Sequence, residues 1–86
     1  MARIEVFNDG WFGGESRTIT DSVANVGDFW NDKITSAKVH EGRWIVYEHT
    51  DFRGASTVLE PGTEYPNIAI NPGGIDNDTI SSLRPI

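Results

Sequence analysis

The residues best equipped for chemistry stand in two six-residue runs, Asn31-Asp32-Lys33-Ile34-Thr35-Ser36 and Asn77-Asp78-Thr79-Ile80-Ser81-Ser82. Each gathers amide, carboxylate and hydroxyl oxygens around one isoleucine, and neither holds the His or Cys that a soft metal prefers. Oxygen donors in flexible polar loops, with room for water, suit Ca²⁺ better than Mg²⁺, which demands a tight octahedron. A single run of this kind is a plain turn leading into a strand. Two copies at matched places favour calcium.

The other candidates are weaker. His40 and His49 have no Cys and no third His to join them, and the Glu-x-x-His spacing of a helical zinc site is absent, so both read as surface residues. Asn77-Asp78-Thr79 satisfies the glycosylation sequon, but Asn77 falls inside the second oxygen-rich run. Gly13-Gly14 and Gly73-Gly74 lack the Lys and the strand-to-helix setting of a phosphate loop and read as turns. Trp11, Trp30 and Trp44 offer an aromatic surface of the kind that stacks on sugars. Trp44 sits in an apolar run and is expected in the core, whereas Trp11, beside a turn, is expected to be exposed. Neither a Ser/His/Asp signature nor a nucleophile elbow is present, so an enzyme is the least supported class.

Composition narrows the classes further. Eighty-six residues make one domain with a modest core, a size that often leans on a metal, a disulfide or a partner, and the chain has no cysteine to supply the disulfide. Thirteen acidic against seven basic residues, net −6, disfavour nucleic acid, whose phosphates need Lys and Arg. No apolar run is long enough to span a membrane, and the start Met-Ala-Arg-Ile-Glu lacks the form of a secretory signal. That start fits the cytosol, or secretion after cleavage of a leader.

The elements that would position the oxygen-rich runs are short strands. Ile4, Val6 and Phe7 open one, closed by the turn residues Asn8-Asp9-Gly10; Ser16 to Thr20 form a second. Residues 21 to 30 suit a helical turn or an irregular arch, since Gly27 interrupts their partial helical spacing. Ala37-Lys38-Val39 precedes a break at His40 to Arg43, and Trp44 to Tyr47 has a strand's composition. Thr57 to Leu59 is another strand, Pro61-Gly62 a turn, Pro66 to Gly74 an irregular connection, and Ile80 to Leu83 a final strand. Short strands without a long helix predict an antiparallel β-sandwich.

The pattern occurs twice. Phe7, Phe12 and Gly14 match Tyr47, Phe52 and Gly54 at an offset of 40, while the oxygen-rich runs are 46 apart, so the second half carries six extra residues between its landmarks, assigned to the connection at 61 to 74. An aromatic, a tight turn, a second aromatic and a glycine describe a folded hairpin with rings covering the turn and the glycine accepting a conformation that a Cβ resists. Ser36 and Ser82 are then placed to satisfy backbone groups in the bent hairpins.

An aromatic-x4-aromatic-x-Gly hairpin followed by Asn/Asp-Asn/Asp-x-x-Ser/Thr-Ser, each present twice over nearly the whole chain, resembles the microbial calcium-binding βγ-crystallins. The resemblance implies an all-β sandwich of two Greek-key motifs with pseudo-twofold symmetry, key 1 about residues 1 to 41 and key 2 about 42 to 86. It implies two Ca²⁺ ions in paired sites, each completed by an arm from the other half. One site would use the main-chain oxygens of Asn8 and Lys33, the hydroxyl of Thr35 and the carboxylate of Asp78. The other would use the main-chain oxygens of Glu48 and Thr79, the hydroxyl of Ser81 and the carboxylate of Asp32. Asn8 departs from the glutamate frequent there, a small change for a backbone ligand. With about one carboxylate per site, affinity is expected at roughly 10⁻⁶ to 10⁻⁴ M. The function implied is non-enzymatic calcium binding that stabilises the fold, in a monomer; the alternative is a carbohydrate- or protein-interaction module on the same scaffold.

Overall fold

Alternation of apolar and polar residues builds the strands of the computed structural model, which describes residues 2–28, 34–70, 73–75 and 80–86. In β1 (Arg3–Phe7), Ile4 and Val6 are fully buried while Arg3 is exposed and Glu5 half-buried. β2 (Ser16–Ile19) buries only Ile19, and β3 (Ser36–Glu41) buries Ala37 and Val39. β4 (Trp44–His49), β5 (Arg53–Leu59), β6 (Glu64–Tyr65) and β7 (Ser82–Pro85) follow, with single 3₁₀ turns at Gly10–Phe12 and Val26–Asp28. The arrangement is the expected antiparallel all-β one: one sheet in the order β2-β1-β3-β6 and another in the order β5-β4-β7. Their inner faces meet in one core, where Ile4, Val6, Trp44, Val46, Leu59 and Leu83 have no exposed surface. Each such side chain contributes about 1.5–3 kcal/mol by leaving water. Trp44, placed in the core as expected, also satisfies its indole by donating to the Glu41 carbonyl at 3.2 Å.

Several strand limits differ from the sequence reading. β3 continues through His40 and Glu41, and the break falls at Gly42, whose φ of +77° turns the chain into β4. β5 starts at Arg53 rather than Thr57, because a bulge with its extra residue in β5 lets His49 pair with Arg53. The last strand begins at Ser82 and runs to Pro85 rather than spanning 80 to 83. It lies at the edge of its sheet, where proline's missing N–H breaks no ladder bond. Residues 21 to 28 form the expected irregular arch with a helical turn.

The two halves also exchange backbone. β6, from the second half, pairs with β3 through Ala37↔Tyr65 and Lys38↔Glu64. Val23, from the first half, bridges Leu83 of β7, with N–H···O bonds of 2.8 and 3.0 Å in the two directions. Each sheet is therefore closed by a short segment lent from the opposite half. The six surplus residues fall between Leu59 and Ile80, an interval that contains the expected connection at 61 to 74, since Ile19 to Ile34 is a step of 15 and Leu59 to Ile80 a step of 21.

Candidate metal centre

The two hairpins that flank the oxygen-rich runs fold alike. Phe7 and Phe12 meet edge-to-face with centroids 5.5 Å apart, and Tyr47 and Phe52 do so at 5.7 Å. To close the turn, Trp11 and Phe12 take φ of +53° and +61°, and Asp51 and Phe52 take +59° and +61°. Left-handed backbone is unfavourable for bulky residues, so it must be held from outside the turn. Ser36, fully buried, accepts the Phe12 N–H at 3.1 Å and donates to the Asp9 carbonyl at 2.5 Å. Ser82 accepts the Phe52 N–H at 3.0 Å and donates to the His49 carbonyl at 2.6 Å. These are the backbone-satisfying roles the sequence suggested for both serines.

The residue before each serine is a candidate ligand. The Thr35 N–H donates to the Phe7 carbonyl at 2.9 Å, and its hydroxyl donates to the Asn8 carbonyl at 3.2 Å. Two of the expected ligand oxygens of one site thus face each other, with Thr35 only 9% exposed. In the second half the Ser81 N–H donates to the Tyr47 carbonyl at 2.9 Å, next to the last pair of the ladder, Tyr47↔Ser82. Lys33, Asp78, Thr79 and Asp32, the other expected ligands, lie outside the described residues, as do Trp30 and Asn77. Among the described residues no three His, Asp or Glu side chains cluster to hold a metal. The donors brought together there are instead hydroxyl and main-chain oxygens, a set that fits a hard cation.

Backbone clamps from the opposite half hold each hairpin and the residue before its serine, and the sequence reading missed them. The Ile68 N–H donates to the Thr35 carbonyl at 3.0 Å, and the Val26 N–H donates to the Ser81 carbonyl at 2.6 Å. The Trp11 N–H donates to Pro66 at 2.8 Å, and the Asp51 N–H to Ala24 at 2.9 Å. A third repeat carries these contacts: Val23-Ala24-Asn25-Val26 matches Tyr65-Pro66-Asn67-Ile68 at an offset of 42. Within it the Asn25 side chain accepts the Gly27 N–H at 2.8 Å and Asn67 accepts the Ala69 N–H at 3.1 Å. The shared asparagine between apolar residues is the signal that would have revealed it.

The remaining candidates fall as expected. Both histidines are exposed, His40 lying 3.4 Å from Glu5. Gly14, Gly73 and Gly74 are turn residues with positive φ, and Trp11 is 80% exposed. No helix among the described residues is long and apolar enough to cross a membrane.

Comparison with known proteins agrees with this architecture. The family model Beta/Gamma crystallin matches residues 3–86. Beta-crystallin A1-2 of Aquarana catesbeiana is 45% identical over 86 residues, covering 98% of the chain but 43% of that relative. The chain thus spans less than half the length of such curated relatives. A solved beta gamma crystallin from Ciona intestinalis superposes with a TM-score of 0.88 at 32% identity, covering 98% of the chain and 99% of that structure. A solved βγ-crystallin from an archaeon gives 0.86 at 38% identity, covering 99% and 98%.

Proposed function

The chain belongs to the beta/gamma-crystallin family, and within it we propose a non-enzymatic calcium-binding domain of the microbial type, holding two ions that stabilise the fold. The observation that carries this reading is the partly buried pair formed by the Thr35 hydroxyl and the Asn8 carbonyl, 3.2 Å apart. Two oxygens at that separation can both reach one calcium at about 2.4 Å. Bound calcium would supply the positive charge that lets converging oxygens lie close without repulsion. Thr35 would turn its hydroxyl hydrogen away from Asn8 and offer a lone pair, while Asn8 and Lys33 offer carbonyls and Asp78 a carboxylate. Glu48, Thr79, Ser81 and Asp32 would act in the same roles in the second half. Each carboxylate comes from the opposite half's run, in keeping with the exchange of backbone seen in both sheets, so loading either site would tie the halves together.

Stabilisation follows from linkage: calcium at 100 times its Kd adds about 2.7 kcal/mol per independent site. For a domain of this size that is a rise in melting temperature of roughly 10–20 °C. Titration calorimetry with calcium, together with melts in calcium and in chelator, tests the reading; no binding heat and superimposable melts would refute it. Asp32→Ala is expected to abolish the calcium-induced NMR shifts at Ser81 and spare those at Thr35. Asp78→Ala is expected to do the reverse. Loss on the same half as the substitution would overturn the crossed ligand assignment.

A further inference from the structure

The clamp positions are equivalent in the two halves, but their side chains are not. At one end of the molecule, Trp11, Pro66, Asn67 and Ile70 line an open groove of about 230 Å³. At the offsets defined above, Trp11 corresponds to Asp51, Pro66 to Ala24 and Ile70 to Asp28, whereas Asn67 corresponds to Asn25. One end is therefore apolar and aromatic where the other is small and acidic, and the change is made at three positions together. It carries two costs. Trp11 exposes 80% and Ile70 79% of their surface, and Trp11 holds a φ of +53° that Asp tolerates far better. Turn formation does not require the tryptophan, because Asp51 makes the same turn and the same N–H···O clamp.

We infer that this groove binds a neutral saccharide, with one ring stacked on Trp11. The groove is small, about 230 Å³ with four lining residues among those described, and its dimensions suit one sugar ring. Charge narrows the ligand further. Among the described residues no charged one lines the groove, and the chain's net −6 repels anions. A cation would favour the opposite end, where the equivalent turn carries Asp51. An aromatic face suits the C–H face of an uncharged sugar ring, and a polar group fixes its orientation. Asn67 supplies that group: its side-chain oxygen is engaged by the Ala69 N–H at 3.1 Å, which leaves its amide nitrogen to donate to a sugar hydroxyl. The Trp11 N–H clamp on Pro66 holds the platform and the groove wall in register.

The site is independent of the calcium reading and is tested separately from it. The intact chain and its Trp11→Asp variant are applied to an array of neutral, sialylated and sulfated glycans, in calcium and in chelator. Chitotriose and cellotriose, with the strongest neutral glycan from the array, are then titrated by NMR. Trp11→Asp copies the residue of the equivalent turn, so it is expected to melt no lower than the parent. The expected result is binding of at least one neutral glycan, unchanged by chelator, that shifts the Trp11 indole and the Asn67 amide and weakens at least tenfold in Trp11→Asp. Binding to no neutral glycan, binding confined to charged glycans, or binding retained by the folded Trp11→Asp variant would each overturn the inference.

Discussion

The turn after β1 and the turn after β4 are the same machine with different coverings. Both take two consecutive left-handed residues, stack two aromatics edge-to-face, and hang their backbone from one buried serine and one clamp carbonyl. Between the copies, the aromatic, glycine and serine positions keep their residue types. Trp11 and Asp51, Asn8 and Glu48, Asp9 and His49 do not. The retained serines satisfy the turn's own backbone in both copies, whereas the divergent positions differ in what they add, as where the Asn8 side chain accepts the Glu15 N–H at 3.0 Å. The comparison thus separates what the fold requires from what each end can be adapted to do.

The serines provide the largest expected effect. Ser36→Ala removes both a donor and an acceptor from a fully buried position, leaving the Phe12 N–H and the Asp9 carbonyl without their partner. A group stranded in this way costs about 1–3 kcal/mol, so a loss of about 3 kcal/mol is expected in denaturant titration. Ser82→Ala strands the Phe52 N–H and the His49 carbonyl and is expected to lose the same within about 1 kcal/mol. A large disparity between the two variants would break the equivalence of the hairpins.

The glycines are expected to sharpen the comparison by differing. Both have positive φ, +72° at Gly14 and +82° at Gly54, so alanine pays backbone strain of about 1 kcal/mol at either. A Cβ at Gly14 would collide with the side-chain oxygen of Asn8 and press on Asp9. That Asn8 oxygen accepts the Glu15 N–H at 3.0 Å and cannot yield without losing the bond. At Gly54 the Cβ meets the ring of exposed His49, which is free to swing into solvent. Gly14→Ala is therefore expected to cost about 2–3 kcal/mol and Gly54→Ala about 1–2 kcal/mol in the same titration. Equal losses would show that His49 is held as firmly as Asn8.

These two pairs also mark what was legible in the sequence. The hairpin with its covering rings, the backbone role of Ser36 and Ser82, the burial of Trp44 and the exposure of Trp11 are all local consequences of residue type and spacing. Family membership and the all-β sandwich follow from the doubled motif. Strand exchange was not legible, because β6 is two residues long and Val23 a single bridge, too short to show alternation. The end of the chain misled for a related reason. Ile80 and Ser81 have strand composition, but Ile80 is spent on the core and Ser81 on its bonds to Tyr47 and Val26, so the ladder starts at Ser82. Half of the expected metal ligands, Asp32, Lys33, Asp78 and Thr79, lie outside the described residues.

The smallest difference lies above the rings. The Lys38 ammonium sits 4.8 Å from the Phe12 centroid and 5.8 Å from that of Phe7, while the Arg84 guanidinium lies 5.3 Å from Phe52 and 5.8 Å from Tyr47. Each cation thus covers the aromatic pair of its own half, but only Arg84 also donates to a ring substituent, the Tyr47 hydroxyl at 3.1 Å. Phe7 offers no such oxygen. Lys38 has instead Glu64 of the lent strand at 3.8 Å, a partly exposed ion pair of little worth. Replacing either cation with methionine keeps an apolar stem over the rings and removes the charge, at about 0.5–1 kcal/mol for the lost cation–π contact. Arg84→Met should lose about 0.5–1 kcal/mol more than Lys38→Met, because a hydrogen bond goes with it. If that excess vanishes in Arg84→Met on a Tyr47→Phe background, the difference between the two caps resides in one hydroxyl; if it persists, the planar guanidinium itself packs better on the rings than an ammonium does.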